Sequence, residues 1–264
     1  TKVRMGLTFR DSFCRKAAND VLDELMVGSP EEIDLETLAW IGGRRLKIVE
    51  GPLAGADGRL VAGENGGVIR IRTGIGPMGR KRFTIAHEIG HRVLHGLGAT
   101  TDTLRNLRTW TNGSKETEAN VFASELLMPE RLFKPMVAKQ NPSLEFIDSM
   151  ADIFRTSRQA AAIRFIQTTA EPCAFVLFRQ GRYEWSLKSD SFEFFIRDGV
   201  PHRYTGVSEL LRGKSGMTGP AQTPAGAWLQ DQDPDGRASL MEDARVLPEY
   251  GEAFALLWIN EELD

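Results

Sequence analysis

Apolar positions recur every three to four residues over 11–27, where Phe13, Ala17, Ala18, Val21, Leu22, Leu25 and Met26 fall on one stripe, which predicts an amphipathic helix. Gly28-Ser29-Pro30 stops it, and a second short helix follows over about 34–41. The period then changes. LKIVE at 46–50 and GVIRIR at 67–72 alternate apolar with polar or charged residues, the two-residue rhythm of strands. The glycine-rich GPLAGADGRLVAGENGG between them reads as a mobile loop.

Helical spacing returns after the turn-rich TGIGPMG. RKRFTIAHEIGHRVLHGLG predicts a helix over about 80–95 that stops at Gly96 and Gly98, and KETEANVFASELLM predicts another over 115–128, ended by Pro129. Residues 143–154 and 157–168 read as two helices broken near Arg155-Thr156, with Ser157 as N-cap, in the manner of a helix-turn-helix. From Pro172 the pattern becomes short strands: CAFVLF, RYEWSL, FEFFI, AGAWLQ and FALLWI. The fold class expected is α+β in three parts: a domain over 1–138, helix-turn-helix-like helices over 139–170, and a smaller α/β domain over 171–264.

With 264 residues and 41% hydrophobic content, the chain can bury a sizeable core in more than one domain. The first thirty residues hold no apolar signal-like stretch, and nowhere do about eighteen apolar residues run together, so a cytoplasmic location without membrane spanning is expected. The net charge of −3 is unevenly spread: residues 229–264 carry ten acidic and two basic side chains, leaving the remainder at +5. Only Cys14 and Cys173 are present, far apart, which argues against a disulfide framework and against a cysteine metal site. Any metal must be held by histidine and carboxylate.

Three of the four histidines fall within nine residues, in HEIGHRVLH. On a helix, residues four apart lie on one face, so His87 and His91 can direct ring nitrogens at one point and form a two-point clamp for Zn²⁺. Glu88, displaced around the helix beside His87, is placed to act as a general base on water without ligating the metal. Catalytic zinc sites take three protein ligands and keep a position open, so one more donor is needed. His95 lies ~12 Å along the axis from His87, too far for one straight helix to bring both to one ion. It reads as a packing residue or a supporting neighbour.

The remaining candidates are carboxylates of KETEANVFASELLMP: Glu116, Glu118 and Glu125. Glu118 is the choice, because Val121 and Phe122 follow it at i+3 and i+4 and mark its face as inward. Glu125, at i+7 from Glu118, shares that face and can orient a ligating histidine, or else serve as a structural cap.

RFTIAHEIGHRVLH, then ETEANVFASELLMP, then MADIFRTSRQAAAIRF resemble, in this order, the ImmA/IrrE family of metallopeptidases over about residues 80–168. The resemblance implies a zincin-like, gluzincin-type peptidase domain and Glu118 as third ligand. Asn120 stands where many members have Asp, at an auxiliary contact. It also implies a protein substrate, a helix-turn-helix repressor of the XRE type, whose cleavage releases stress-response, mobile-element or defence genes. Residues 171–264 resemble the GAF-like sensor domain of some members.

Two rival classes follow from other residues. Helices 143–168 can make the chain a DNA-binding regulator, with Arg155, Arg158 and Arg164 as local cations, or the chain can be an antitoxin-like module that holds zinc without proteolysis. A basic rim of Arg70, Arg72, Arg80, Lys81 and Arg82 borders the motif and suits DNA, single- or double-stranded, as an activator, or an acidic stretch of substrate. The strand GVIRIR is either a sheet edge that an extended substrate can join or a core strand.

Overall fold

The computed structural model describes residues 9–96, 98–99, 114–138, 140–213, 216–232 and 236–260. Its contacts divide the chain into two units: the described part of Arg4–Phe133 with Met150–Ala160, and the described parts of Lys134–Ser149 and Ala161–Asp264.

The first unit opens with α1 (Phe9–Asp23) and α2 (Leu35–Trp40). Helix α1 ends earlier than its apolar stripe because Met26 turns left-handed at φ 52°, and the Val27 N–H then bonds back to the Leu22 carbonyl at 3.2 Å. Strands β1 (Leu46–Gly51), β2 (Gly58–Gly63), β3 (Gly66–Arg72) and β4 (Gly98–Ala99) form a sheet in the order β1-β3-β2-β4. β1 runs parallel to β3, and β2 antiparallel to both β3 and β4.

Strand β2 corrects the expected loop: the stretch after Gly51 folds back on β3 through a two-residue turn at Glu64-Asn65, its strand pattern hidden among glycines. The edge reading of GVIRIR is also corrected. β3 is paired on both sides along its length, as a core strand. Along it Ile69 and Ile71 are buried while Val68 and Arg70 are exposed, so the sheet has one covered and one open face. Leu46 and Leu60 complete the covered face, each such side chain contributing roughly 1.5–3 kcal/mol when fully buried. α2 packs on this sheet together with α3 (Met78–His95), and α3 packs in turn against α4 (Lys115–Leu127).

Helices α5 (Glu130–Val137), α6 (Leu144–Ile153) and α7 (Arg158–Thr168) follow, and the division between the units runs through all three. Between α6 and α7 Arg155 adopts φ 52°, the left-handed turn conformation that helix-turn-helix motifs usually give to glycine. Arg164, expected as a surface cation of that pair, is buried at 1% exposure, which leaves Arg155 and Arg158 as the exposed ones.

The second unit is built on five strands, β5 (Cys173–Arg179), β6 (Arg182–Lys188), β7 (Ala221–Pro224), β8 (Ser239–Leu247) and β9 (Glu252–Trp258). They are ordered β6-β5-β9-β8-β7, every neighbour antiparallel, with the short helix α8 (Gly206–Leu211) packed on β8. FEFFI and AGAWLQ are not strands. Ile196 and Leu229 meet in a single bridge, and Ala225–Ala227 is one 3₁₀ turn that buries Trp228 beside Phe178. Their apolar runs recorded burial rather than extended backbone. β8 carries no clear strand pattern in the sequence because acidic residues are rare in strands. Glu242 is buried there and accepts hydrogen bonds from Val207 N–H, Thr223 Oγ1 and Trp228 Nε1 at 3.1, 2.8 and 3.0 Å. No helix among the described residues is long and apolar enough to cross a membrane.

Candidate metal centre

Helix α3 carries HEIGH along the line where it meets α4. Gly90 lets the two backbones close, since a β-carbon there would stand 2.9 Å from Cδ1 of the buried Phe122. α4 starts at Ser114, whose side chain caps it by accepting the Thr117 N–H at 3.1 Å. That cap places Glu116 in the first turn and Asn120 one turn later on the same face.

His87 and His91 converge as their spacing demands, Nε2 to Nε2 at 2.9 Å. Oε2 of Glu116 lies 3.4 Å from Nε2 of His87, and Oε1 lies 3.5 Å from Nε2 of His91. One donor atom from each of the three residues lies within 4.8 Å of the others, and both imidazoles are buried. A tetrahedral ion with bonds of about 2.0–2.1 Å separates its ligand atoms by about 3.4 Å, which the two Glu116–histidine spacings match, while the imidazole nitrogens at 2.9 Å stand closer than that. Asn120 Oδ1 accepts the Nδ1–H of His87 at 2.8 Å, which leaves the Nε2 lone pair facing the cluster. Glu88 is fully buried beside it, and a β-carbon at Gly58, the first residue of β2, would come within 2.8 Å of Glu88 Oε1. Only a glycine lets the strand lie this close to the carboxylate.

The carboxylate that the structure brings to His87 and His91 is Glu116, not the expected Glu118. Glu118 sits two residues on, well around the helix from the Glu116–Asn120 face, where it pairs with Arg10 and approaches His95 Nδ1 at 3.8 Å. The inference from Val121 and Phe122 failed because α4 is buried nearly all round, so apolar neighbours at i+3 and i+4 do not single out one face. Of the two roles open to Glu125, the contacts shown are the structural one: it accepts from Asn19 Nδ2 and from the Glu130 N–H at the start of α5, each at 3.0 Å, and pairs with Arg15. His95 stays outside the trio: its Nε2 lies 3.2 Å from the Lys115 carbonyl, and burial pulls its pKa below the ordinary imidazole value.

The basic rim is largely spoken for. Arg72 and Arg80 both clasp the buried Asp57, Lys81 pairs with Glu50, and Arg82 donates to the Ile33 carbonyl at 3.3 Å. Of the five, Arg70 alone is an exposed cation on the open face of the sheet. Cys14 and Cys173 are buried free thiols, pushed up to about 11 and about 12 chiefly by burial, and neither joins the cluster.

The fold and the cluster define the class first: a mixed α+β protein with a metallopeptidase-type His-Glu-x-x-His helix and a His-His-Glu donor set. Residues 44–165, somewhat under half of the chain, match the peptidase family M78, described as the IrrE N-terminal-like domain. The chain is 30% identical over 150 residues to the radiation response metalloprotease IrrE of Deinococcus radiodurans, a match covering 55% of this chain and 43% of that protein. It is 31% identical over 122 residues to the same-named protein of Deinococcus deserti, covering 44% and 42%. The chain thus spans under half the length of either relative. A Mycobacterium tuberculosis transcriptional regulator superposes with a TM-score of 0.58 over 94% of this chain and 90% of its own, at 18% identity, a likeness of fold.

Proposed function

We propose that the chain is a zinc-dependent endopeptidase with a zincin-like, gluzincin-type domain, acting on one specific protein, a helix-turn-helix repressor of the XRE type. The carrying observation is the convergence of His87 Nε2, His91 Nε2 and Glu116 beside the buried Glu88. The match of 44–165 to a peptidase family supports peptide hydrolysis, and the name of the Deinococcus relatives supports a stress-linked role. The second unit, by its all-antiparallel sheet, takes the part of a sensor.

When bound, the ion acidifies a water and polarises the scissile carbonyl. The chain's own groups do the rest. Asn120 fixes His87 in the tautomer that offers Nε2, and Glu116 adds the negative donor. A carboxylate oxygen of Glu88 takes the proton of the attacking water and passes it to the leaving amide nitrogen, which departs as an amine. Burial keeps Glu88 away from competing solvent.

The test is incubation with a co-encoded helix-turn-helix repressor, with and without chelator, beside Glu88→Gln. The expected result is one defined cut that needs both metal and Glu88. Cleavage surviving Glu88→Gln sinks the mechanism, and stoichiometric zinc with an uncut repressor moves the chain to the antitoxin-like reading.

A further inference from the structure

The cations expected around the motif separate into two groups once their partners are known. Arg72, Arg80 and Lys81 are tied to acids. Lys47, Arg59 and Arg70 are exposed, and among the described residues none of the three has a carboxylate within ion-pair distance. They share one surface. The register sets Lys47 beside Val68 and Val68 beside Val61, and in the next row Val49 beside Arg70 and Arg70 beside Arg59. Register partners point the same way, and side chains two apart on a strand return to the same face, so these six residues form a patch on the open side of the sheet.

The patch has two uncommon features. Arg59 and Arg70 stand directly opposite each other on neighbouring strands, a like-charge juxtaposition that weakens a sheet. Val61 and Val68, also directly opposite, remain 55% and 37% exposed. The described strand residues on this face include no acid to offset the cations. A sheet that keeps paired guanidinium groups and paired valines in solvent is shaped for an anionic partner with apolar side chains.

We propose that this face docks an acidic segment of a partner protein in which carboxylates alternate with aliphatic residues. Rows on neighbouring strands lie about 4.8 Å apart and alternate residues about 7 Å apart, spacings that an extended peptide repeats. Carboxylates then meet Arg59, Arg70 and Lys47, while the aliphatic side chains cover Val61 and Val68. A nucleic acid is the poorer fit. The described strand residues of this face include no aromatic ring on which a base can stack, and a phosphate backbone makes no use of the valine pair. The surface lies on the face of the sheet opposite the covered one, and the docking stands independently of proteolysis.

The probe is a fluorescein-labelled peptide of alternating Glu and Leu, titrated with the full chain by anisotropy, with labelled oligo(dT) as a parallel probe. The expected result is saturable peptide binding that weakens at least about tenfold in Arg59→Glu with Arg70→Glu, and also in Val61→Ser with Val68→Ser, and that falls with added salt in wild type. Lys47→Glu, on another strand, is expected to weaken binding in the same direction while leaving the arginine pair intact. Thermal melts confirm that each variant is folded. The proposal is overturned by failure to bind the peptide, by equal binding in the arginine pair variant, or by binding indifferent to the valine pair. Tighter binding of oligo(dT), lost in the arginine pair variant, overturns it in favour of nucleic acid.

Discussion

Asn120 Oδ1 stands 2.8 Å from Nδ1 of His87, one helical turn after Glu116, so a single face of α4 supplies both a ligand-type carboxylate and the group that orients its histidine neighbour. A histidine whose far nitrogen is held in this way is fixed in tautomer and ring angle before any ion arrives. Asn120→Ala is therefore expected to weaken zinc affinity by roughly 10–100-fold. Asn120→Asp, which keeps an acceptor oxygen, is expected to retain it. Competition against a chromogenic chelator reads both, and an Asn120→Ala protein that holds zinc as tightly as wild type removes the orienting role.

Glu116 and Glu118 make opposite predictions although two residues separate them. Glu116→Ala is expected to lose stoichiometric zinc on dialysis, because two imidazoles alone do not complete a catalytic donor set. Glu118→Ala is expected to keep zinc and to lose its tie to Arg10, an exposed contact on one side with little effect on stability. Elemental analysis of the two purified proteins decides the matter. The reverse pattern would restore Glu118 as the ligand.

Gly90 tests the close approach of α3 and α4. Gly90→Ala puts a methyl 2.9 Å from the Phe122 ring, and overpacking of this kind typically costs about 1–3 kcal/mol. Combining it with Phe122→Leu is expected to recover part of that loss, a coupling that a urea denaturation cycle measures. Additive losses would mean that the helices shift apart without touching at this point.

What the sequence discloses and what it hides follow one physical rule. The convergence of His87 and His91 is legible because an i, i+4 pair on a helix fixes its own geometry without help from the fold. The third donor comes from another helix, and its face depends on how α4 rotates against α3. Burial of α4 on nearly every side erased the apolar stripe that would have revealed that rotation. The signal that remained was the spacing of Glu116 and Asn120, which mirrors that of His87 and His91. β2 was lost among glycines, and one of them, Gly58, is where the strand passes against Glu88. β8 was lost because Glu242 and Asp243 are acids in a buried strand, paid for by partners that only the tertiary structure brings near.

Asp243 carries the last prediction, and its sign follows from burial. Oδ2 accepts the Leu144 N–H at 2.7 Å, at the start of α6, and the side chain is almost wholly enclosed. Burial raises its pKa above the ordinary carboxylate value, outweighing the Leu144 N–H and the nearby Arg245, while Asp148 and Glu145 push the same way as burial. A raised folded-state pKa means that the native protein holds this proton more tightly than the unfolded chain does. Asp243 therefore withdraws stability as pH climbs from the ordinary carboxylate range through its raised value, and the full penalty applies above it. Asn keeps a carbonyl to accept the Leu144 N–H and carries no charge. Asp243→Asn is thus expected to be more stable than wild type at neutral pH, with the gap closing as pH falls into the ordinary carboxylate range. Paired denaturation curves across pH measure that gap, and one that stays constant with pH would show that ionisation of Asp243 is not its source.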